Sequence, residues 1–368
     1  MMASRKEKRS SSPSLGELNR RLDKVNRELV RLLGEHATLG GRVRRARVEG
    51  GGPAIDLESE QQSMRAMLDS NKGPLPEHCV RAILRELTSG TRALAKTLKV
   101  AYLGPAYSYS HLAALERFGS SAELIPVSTI PAVFEELSRK HVDFGLVPIE
   151  NSTDGRVVDT LNMFTRMPIR ICGEVQLRIH HYLLGKCERS EIKEVYSKPQ
   201  ALSQCRDWLS KHVPLARLVE MTSTAAAAQL AADKFGAASI ASLQAGVNYG
   251  LNVIAEQIED NKNNITRFAI IGDHEARRTG RDKTATMFEI GHFPGSLADA
   301  LTVFKRNRLN LTWIESFPMP GTQNQYLFFV EMEGHRGDKR VQRAMAALER
   351  KTVRLELLGS YAKSDPIA

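Results

Sequence analysis

Cysteine is scarce, aromatics are few, and no long apolar run occurs. Only four cysteines (Cys79, Cys172, Cys187 and Cys205) stand in 368 residues, and none pair at metal-ligand spacing. That excludes a disulfide scaffold and predicts reduced thiols in a cytoplasmic protein without a metal. No segment approaches the roughly 20 apolar residues that span a bilayer, so no membrane partner is expected. The opening MMASRKEKRSSSPS is basic but has no apolar run behind it, which argues against a secretory signal. Residues 1–13 are expected to form a disordered basic tail. Aromatics make up 6% of the chain, and the net charge of +10 is spread widely rather than interleaved with them. Nucleic acid is therefore not the expected partner; a basic surface of this kind favours anionic metabolites.

The length is too great for one ordinary core, and the patterning divides it into a multidomain chain. Residues 14–97 read as all-α. Ser14 and Glu17 form a capping-box start. Leu15, Leu18, Leu22, Val25, Leu29, Leu32, Leu39 and Val43 then make one helical stripe, which the run Gly50-Gly51-Gly52-Pro53 ends. Two more helices are predicted, over 57–68 and from Pro76 to about Leu98. Such stripes need a partner, so a helical dimer is the natural solution. Over 99–272 short apolar strands alternate with helical segments, the pattern of an α/β fold with mostly parallel sheets. After a charged linker, residues 281–362 read strand-helix-strand-strand-helix-strand, the α+β ferredoxin-like order.

Chemistry concentrates in four strings. Thr266, Arg267 and Phe268 stand at the mouth of the strand ending Ala269-Ile270-Ile271-Gly272, and supply a hydroxyl, a permanent cation and a ring. Upstream lie VPIENSTDG (147–155), VYSKPQALSQC (195–205) and MTSTAAAAQLAA (221–232). Glu150, Asn151, Ser152, Thr153 and Gly155 follow a strand where α/β sheets place ligand loops. Ser223 and Thr224 open an alanine-rich helix whose free N–H groups suit an anion. His181 and Gln200 are further polar candidates.

In this order and spacing the strings resemble the prephenate dehydratases. With its flanking segments the chain resembles the chorismate mutase–prephenate dehydratase fusion family that carries a C-terminal ACT domain. The resemblance implies two lobes of periplasmic-binding-protein type with the active site between them. It implies conversion of prephenate to phenylpyruvate, water and CO2, and no cofactor. Thr266 is then the donor to the leaving hydroxyl, and Arg267 a carboxylate or site-organising partner unless it braces the loop by pairing with Glu259 or Asp260. Phe268, the string Glu150–Gly155, Ser223 and Thr224 become substrate-binding candidates. The family loop Gly-Pro-Glu-Gly-Thr-Phe-Ser reads Gly104-Pro105-Ala106-Tyr107-Ser108-Tyr109-Ser110 here. Ser108 and Ser110 remain as candidates, while a carboxylate and a glycine are gone.

In the helical segment the family's mutase positions fall on Asn19, His36, Arg47, Asp56, Ser59, Glu60, Ser89 and Ala93. Arg47, Asp56, Glu60 and Ser89 keep usable groups, and two arginines and another cationic position have become Asn19, His36 and Ser59. Arg20, Arg21 or Arg92 replace them if the register slips by a residue. Chorismate rearrangement needs cations on two carboxylates, so a weak or absent mutase is expected, with full bifunctionality the alternative. A non-catalytic cytoplasmic amino-acid sensor is the reading from another class. In the C-terminal segment the resemblance implies phenylalanine as effector, at Gly295, Ser296, Leu297, Asn310, Leu311, Thr312, Glu315 and Ser316. Phe317 stands where an arginine is usual. A homodimer or homotetramer is expected.

Overall fold

The computed structural model describes residues 13–53, 55–318 and 325–367. The expected tail lies outside these, Pro13 excepted. Helices α1 (Leu15–Glu49), α2 (Leu57–Asp69) and α3 (Glu77–Ala93) form the first unit. The Ser14 hydroxyl accepts from the Glu17 amide, as the capping signal predicts. No residue of α1 is buried, and its whole leucine stripe faces outward in the single chain. Only the last third of α1 is braced. The Arg44 guanidinium donates to the carbonyls of Thr91 and Arg92 on α3.

The first lobe comprises β1 (Lys99–Leu103), α4 (Tyr109–Phe118), β2 (Glu123–Val127), α5 (Ile130–Ser138), β3 (Phe144–Asn151), β4 (Gly155–Arg156), α6 (Val158–Arg166) and β5 (Arg170–Arg178). The second comprises β6 (Tyr182–Gly185), β7 (Glu194–Ser197), α7 (Pro199–Gln204), α8 (Arg206–His212), β8 (Arg217–Glu220), α9 (Thr224–Asp233), β9 (Ala237–Ala241), α10 (Leu243–Tyr249) and β10 (Asn252–Ala255). The chain then returns to the first lobe as β11 (Ile265–Gly272), which inserts antiparallel between β3 and β5. The first sheet runs β2-β1-β3-β11-β5 and the second β10-β6-β9-β7-β8. Two crossing segments join the lobes and hydrogen-bond to each other, Ile179 N to Asn264 O and Ile258 N to His181 O, both 2.9 Å.

The last unit is β12 (Asp282–Glu289), α11 (Ser296–Arg306), β13 (Leu311–Pro318), β14 (Tyr326–Glu333), α12 (Lys339–Glu349) and β15 (Arg354–Ala362). Its antiparallel sheet is ordered β13-β14-β12-β15, the ferredoxin-like arrangement expected from the sequence. This sheet packs directly on the first lobe. Ala269 and Ile271 of β11 share one core with Trp313, Phe317, Leu327, Phe329 and Tyr361. Gly359, at φ 154°, lets β15 cross β5, because a Cβ there would collide with the Ile171 carbonyl. Phe317, where an arginine is usual, is buried in this shared core. The helical unit is joined as closely: Ser89 on α3 donates to the Phe118 carbonyl at the end of α4, 2.8 Å.

Candidate active site

A cleft of about 790 Å³ opens between the lobes. Its floor is the carboxyl ends of β1, β2 and β3 together with the start of β11. Its opposite wall is the carboxyl ends of β7 and β8 with α7 and the first turn of α9. This is where open α/β sheets hold ligands, because side chains and helix N-termini converge there.

Thr266 and Phe268 line the cleft. One chain of hydrogen bonds runs beneath it and links both crossing segments. The Tyr109 hydroxyl lies 2.9 Å from His181 Nδ1 and donates to the His180 carbonyl at 2.7 Å. His181 Nε2 lies 2.9 Å from Gln204 Oε1, which also accepts from Asn264 Nδ2 at 3.0 Å. Asn151 Nδ2 donates to Asn264 Oδ1 at 2.9 Å and to Thr266 Oγ1 at 2.8 Å. Asn151 Oδ1 accepts from the amides of Thr153 and Asp154. Every polar atom of the Asn151 amide is thus committed, and its orientation is fixed. Because Thr266 Oγ1 accepts from Asn151, its own proton is left to donate elsewhere. Burial holds the His181 imidazole below its usual value, with the Gln204 bond and Glu259 opposing. Burial likewise keeps the Tyr109 phenol protonated by raising it well above its usual range.

The remaining wall is largely apolar: Pro105, Val127, Ile130, Ile179 and Phe268. Ser223 caps α9 by accepting from the Ala226 amide at 3.0 Å, and Thr222, Ser223 and Thr224 face the cleft. Lys198, between β7 and α7, is the single lysine or arginine that lines the cleft among the described residues. Sequence reasoning passed over it, because a lysine before a proline reads as a solvated loop residue; only its place at the carboxyl end of β7 marks it out. Gln204 and Asn264 were missed for the same reason: their roles depend on neighbours distant in sequence.

Several expected site residues lie elsewhere. Arg267 does not enter the cleft. On a strand, neighbours of Thr266 and Phe268 must point to the opposite face, and Arg267 pairs there with Glu150, Glu174 and Glu331. It pairs with neither Glu259, which accepts from His180 and His181, nor Asp260, which caps α8. Glu150 faces away with it, next to Asn151. Ser152 braces the hairpin instead: it accepts from the Ile265 amide and donates to the Asn263 carbonyl. Thr153 and Gly155 build the turn, Gly155 at φ 80°. Ser110 and Ser108 do line the cleft, and Gln200 stands at its rim against Asp154. Tyr107, the residue in the family's glycine position, adopts φ 63°. The Ser242 hydroxyl donates to its carbonyl, and its ring meets Tyr249 edge-on, so the second lobe holds this strained loop.

The mutase-like set is only partly gathered. Arg47 donates to Ser59 Oγ at 3.2 Å and lies 3.8 Å from Asp56. Arg92 reaches Glu60 at 3.5 Å, which makes it the alternative arginine the helices bring inward. Arg20 and Arg21 stay on the exposed half of α1. Ser89 is spent on the contact with Phe118, because α4 packs over that face of α3. In the C-terminal unit Gly295, at φ 88°, opens α11. Ser296 joins Phe293, Pro294 and Tyr326 around a cavity of about 360 Å³. Leu297 and Leu311 pack into the local core, and Asn310 lines a different cavity. Thr312 is exposed, and Glu315 binds Arg156 at 2.7 Å. One chain does not assemble the expected effector residues around a single cavity.

Fold and cleft together define a two-lobed α/β protein with a ligand-sized cleft between its lobes, a helical unit before it and a ferredoxin-like unit after it. The sequence model of prephenate dehydratase matches residues 100–276, and that of chorismate mutase type II matches residues 18–96. The chain is 40% identical over 355 residues to the bifunctional chorismate mutase/prephenate dehydratase of Aquifex aeolicus, covering 95% of this chain and 98% of the relative. It is 38% identical to the enzyme of the same name from Stutzerimonas stutzeri, covering 96% and 99%. A solved prephenate dehydratase from Arthrobacter aurescens, in complex with L-Phe, superposes with a TM-score of 0.67 at 33% identity, over 72% of this chain and 90% of that one. The chain belongs to the bifunctional chorismate mutase/prephenate dehydratase family: it carries a prephenate dehydratase domain and a chorismate mutase domain. Among the described residues no helix is long and apolar enough to cross a membrane.

Proposed function

We propose that the cleft converts prephenate to phenylpyruvate with Thr266 as the donor to the departing hydroxyl. The observation that carries this is the Asn151–Thr266 hydrogen bond, which turns the hydroxyl proton outward at an apolar-walled site. In the reaction the ring carboxylate leaves as CO2, its bonding electrons aromatise the ring, and the C–O bond breaks. The oxygen takes a proton to leave as water. A cation on the ring carboxylate would stabilise the substrate and slow its loss. A cleft with one lysine or arginine among the described residues, Lys198, suits a dianion of which only the pyruvyl carboxylate must be held. The first turn of α9 supports that carboxylate. Phe268, Ile130 and Val127 form the dry side toward the ring.

For the helical unit the relatives' shared name favours two activities in one chain, beside the expectation of a weak or absent mutase. We take the bifunctional reading, with chorismate turned over more slowly because Asn19, His36 and Ser59 supply no permanent cation. Loss of the mutase is the second reading, favoured by the engagement of Ser89 with Phe118. The exposed stripe of α1 calls for a second copy of the chain, and a homodimer is the simplest assembly that covers it. The C-terminal unit is proposed as an ACT domain that takes phenylalanine at an interface between subunits; absence of binding heat with millimolar phenylalanine would remove that part.

The test is phenylpyruvate formation from prephenate, then from chorismate, by one purified sample. Turnover of both supports the full proposal. Turnover of prephenate alone leaves the helices as scaffold. Turnover of neither moves the protein to the sensor class.

A further inference from the structure

Arg267 stands between two residues that line the cleft, yet its guanidinium lies on the other face of β11, against the C-terminal sheet. Each of the four strands of that sheet brings one side chain to it or to its partners. Glu331 of β14 accepts from Arg267 Nη2 through both oxygens, each at 2.7 Å. Lys283 of β12 donates to Glu174 at 3.0 Å and lies 3.6 Å from Glu331. Tyr361 of β15 donates to Glu331 Oε1 at 2.6 Å. The ring of Trp313 on β13 lies 5.6 Å beneath the guanidinium. From the first lobe, Glu150 accepts from Arg267 Nη1 at 2.7 Å and Glu174 from Nη2 at 3.1 Å. Glu331 has no exposed surface.

The network reaches the chemistry through adjacency. Arg267 follows Thr266 on β11, and Glu150 precedes Asn151 on β3. One guanidinium therefore ties down the neighbours of both members of the hydroxyl–amide pair. The pairing register of β11 on β3 shifts between Arg267 and Phe268, an irregularity at which the ladder itself holds the strand less firmly. A buried ionic cluster is a poor source of stability compared with apolar packing of the same volume. Its directional bonds do supply fixed geometry.

We propose that Glu331, on the C-terminal sheet, is a positioning residue for the dehydratase cleft, holding the Thr266–Asn151 pair through Arg267. This rests on Thr266 as the cleft donor. It makes the C-terminal unit part of the scaffold of catalysis even without an effector, and gives any movement of its sheet a direct route to the reacting hydroxyl.

The experiment uses the full chain and measures kcat and KM for prephenate in wild type and in Glu331→Gln, Arg267→Lys, the double variant, Thr266→Ala and Thr286→Val. Thr286 is fully buried in the same sheet and its hydroxyl donates to the Glu356 carbonyl, away from the ionic cluster, so its variant reports general loosening. Glu331→Gln is expected to lower kcat about tenfold or more with KM within about twofold, the signature of a misplaced group rather than lost binding. Thr286→Val should keep kcat, and the double variant should be no slower than Arg267→Lys alone. Should Glu331→Gln not fold, Glu331→Asp, which keeps the charge and shortens the reach, carries the same expectation. Wild-type kcat in the Glu331 variant, an equal loss in Thr286→Val, or effects that multiply in the double variant would overturn the positioning role while leaving the function intact, provided Thr266→Ala is inactive. An active Thr266→Ala, or a wild type without turnover, would instead defeat the reading of the cleft and this proposal with it.

Discussion

Replacing Asn151 by aspartate changes one atom and reverses one hydrogen bond. In the wild type the Asn151 amide nitrogen donates to Thr266 Oγ1 at 2.8 Å and to Asn264 Oδ1 at 2.9 Å, while its oxygen accepts two backbone amides. A carboxylate can keep the last two bonds. It cannot donate to Thr266, so the threonine hydroxyl must turn inward and donate to it. The cleft then loses its donor although Thr266 is still present. Removal of one aimed donor costs on the order of 100- to 1000-fold in kcat, about 3–4 kcal/mol of barrier. The new oxygen also faces Asn264 Oδ1, another acceptor, at a cost of about 1–3 kcal/mol in stability. Steady-state phenylpyruvate formation across a pH series checks this. Asn151→Asp should fall to within about tenfold of Thr266→Ala at neutral pH. Its rate relative to wild type should rise as the pH drops and the introduced carboxyl regains a proton to donate. A variant with near-wild-type kcat at neutral pH would refute the orientation of Thr266 by Asn151.

Lys198→Met should raise KM for prephenate about 10- to 100-fold with a much smaller change in kcat, since a charged hydrogen bond to substrate carries about 1.5–3 kcal/mol; inhibition kinetics with phenylpyruvate should shift in parallel. Glu58, at the start of α2, gives a pH-dependent stability. Burial pushes its carboxyl from 4.5 up to about 6, with Arg117 opposing. The folded chain thus holds this proton more tightly than the unfolded one. The stabilisation is complete below pH 4.5 and is lost as the pH rises through 6. Glu58→Gln should therefore gain about 1–2 kcal/mol over wild type above pH 7 and nothing in acid, by denaturant titration at both pH values.

Strand order was legible because apolar patterning follows local burial, which β3 and β11 both show, and the first helix was legible from the spacing of its leucine stripe alone. What α1 packs against was not, since its stripe is exposed in the single chain. Thr266 was legible as a hydroxyl at a strand mouth. For Arg267 the carboxylate-binding alternative neglected the alternation of a strand, which turns adjacent side chains to opposite faces. The same rule separates Glu150 from Asn151. The strained Tyr107 was foreshadowed by the missing glycine, but the clasp by Ser242 and Tyr249 comes from the other lobe. Lys198 and the run from Tyr109 to Asn264 gain meaning only when the two crossing segments bring distant residues together.

The most direct measurement is prephenate turnover by Thr266→Ala beside wild type, with thermal unfolding of both. A folded variant whose kcat falls by about 100-fold or more is expected if the threonine hydroxyl assists departure of the ring hydroxyl. A folded variant that forms phenylpyruvate at close to the wild-type rate would contradict it.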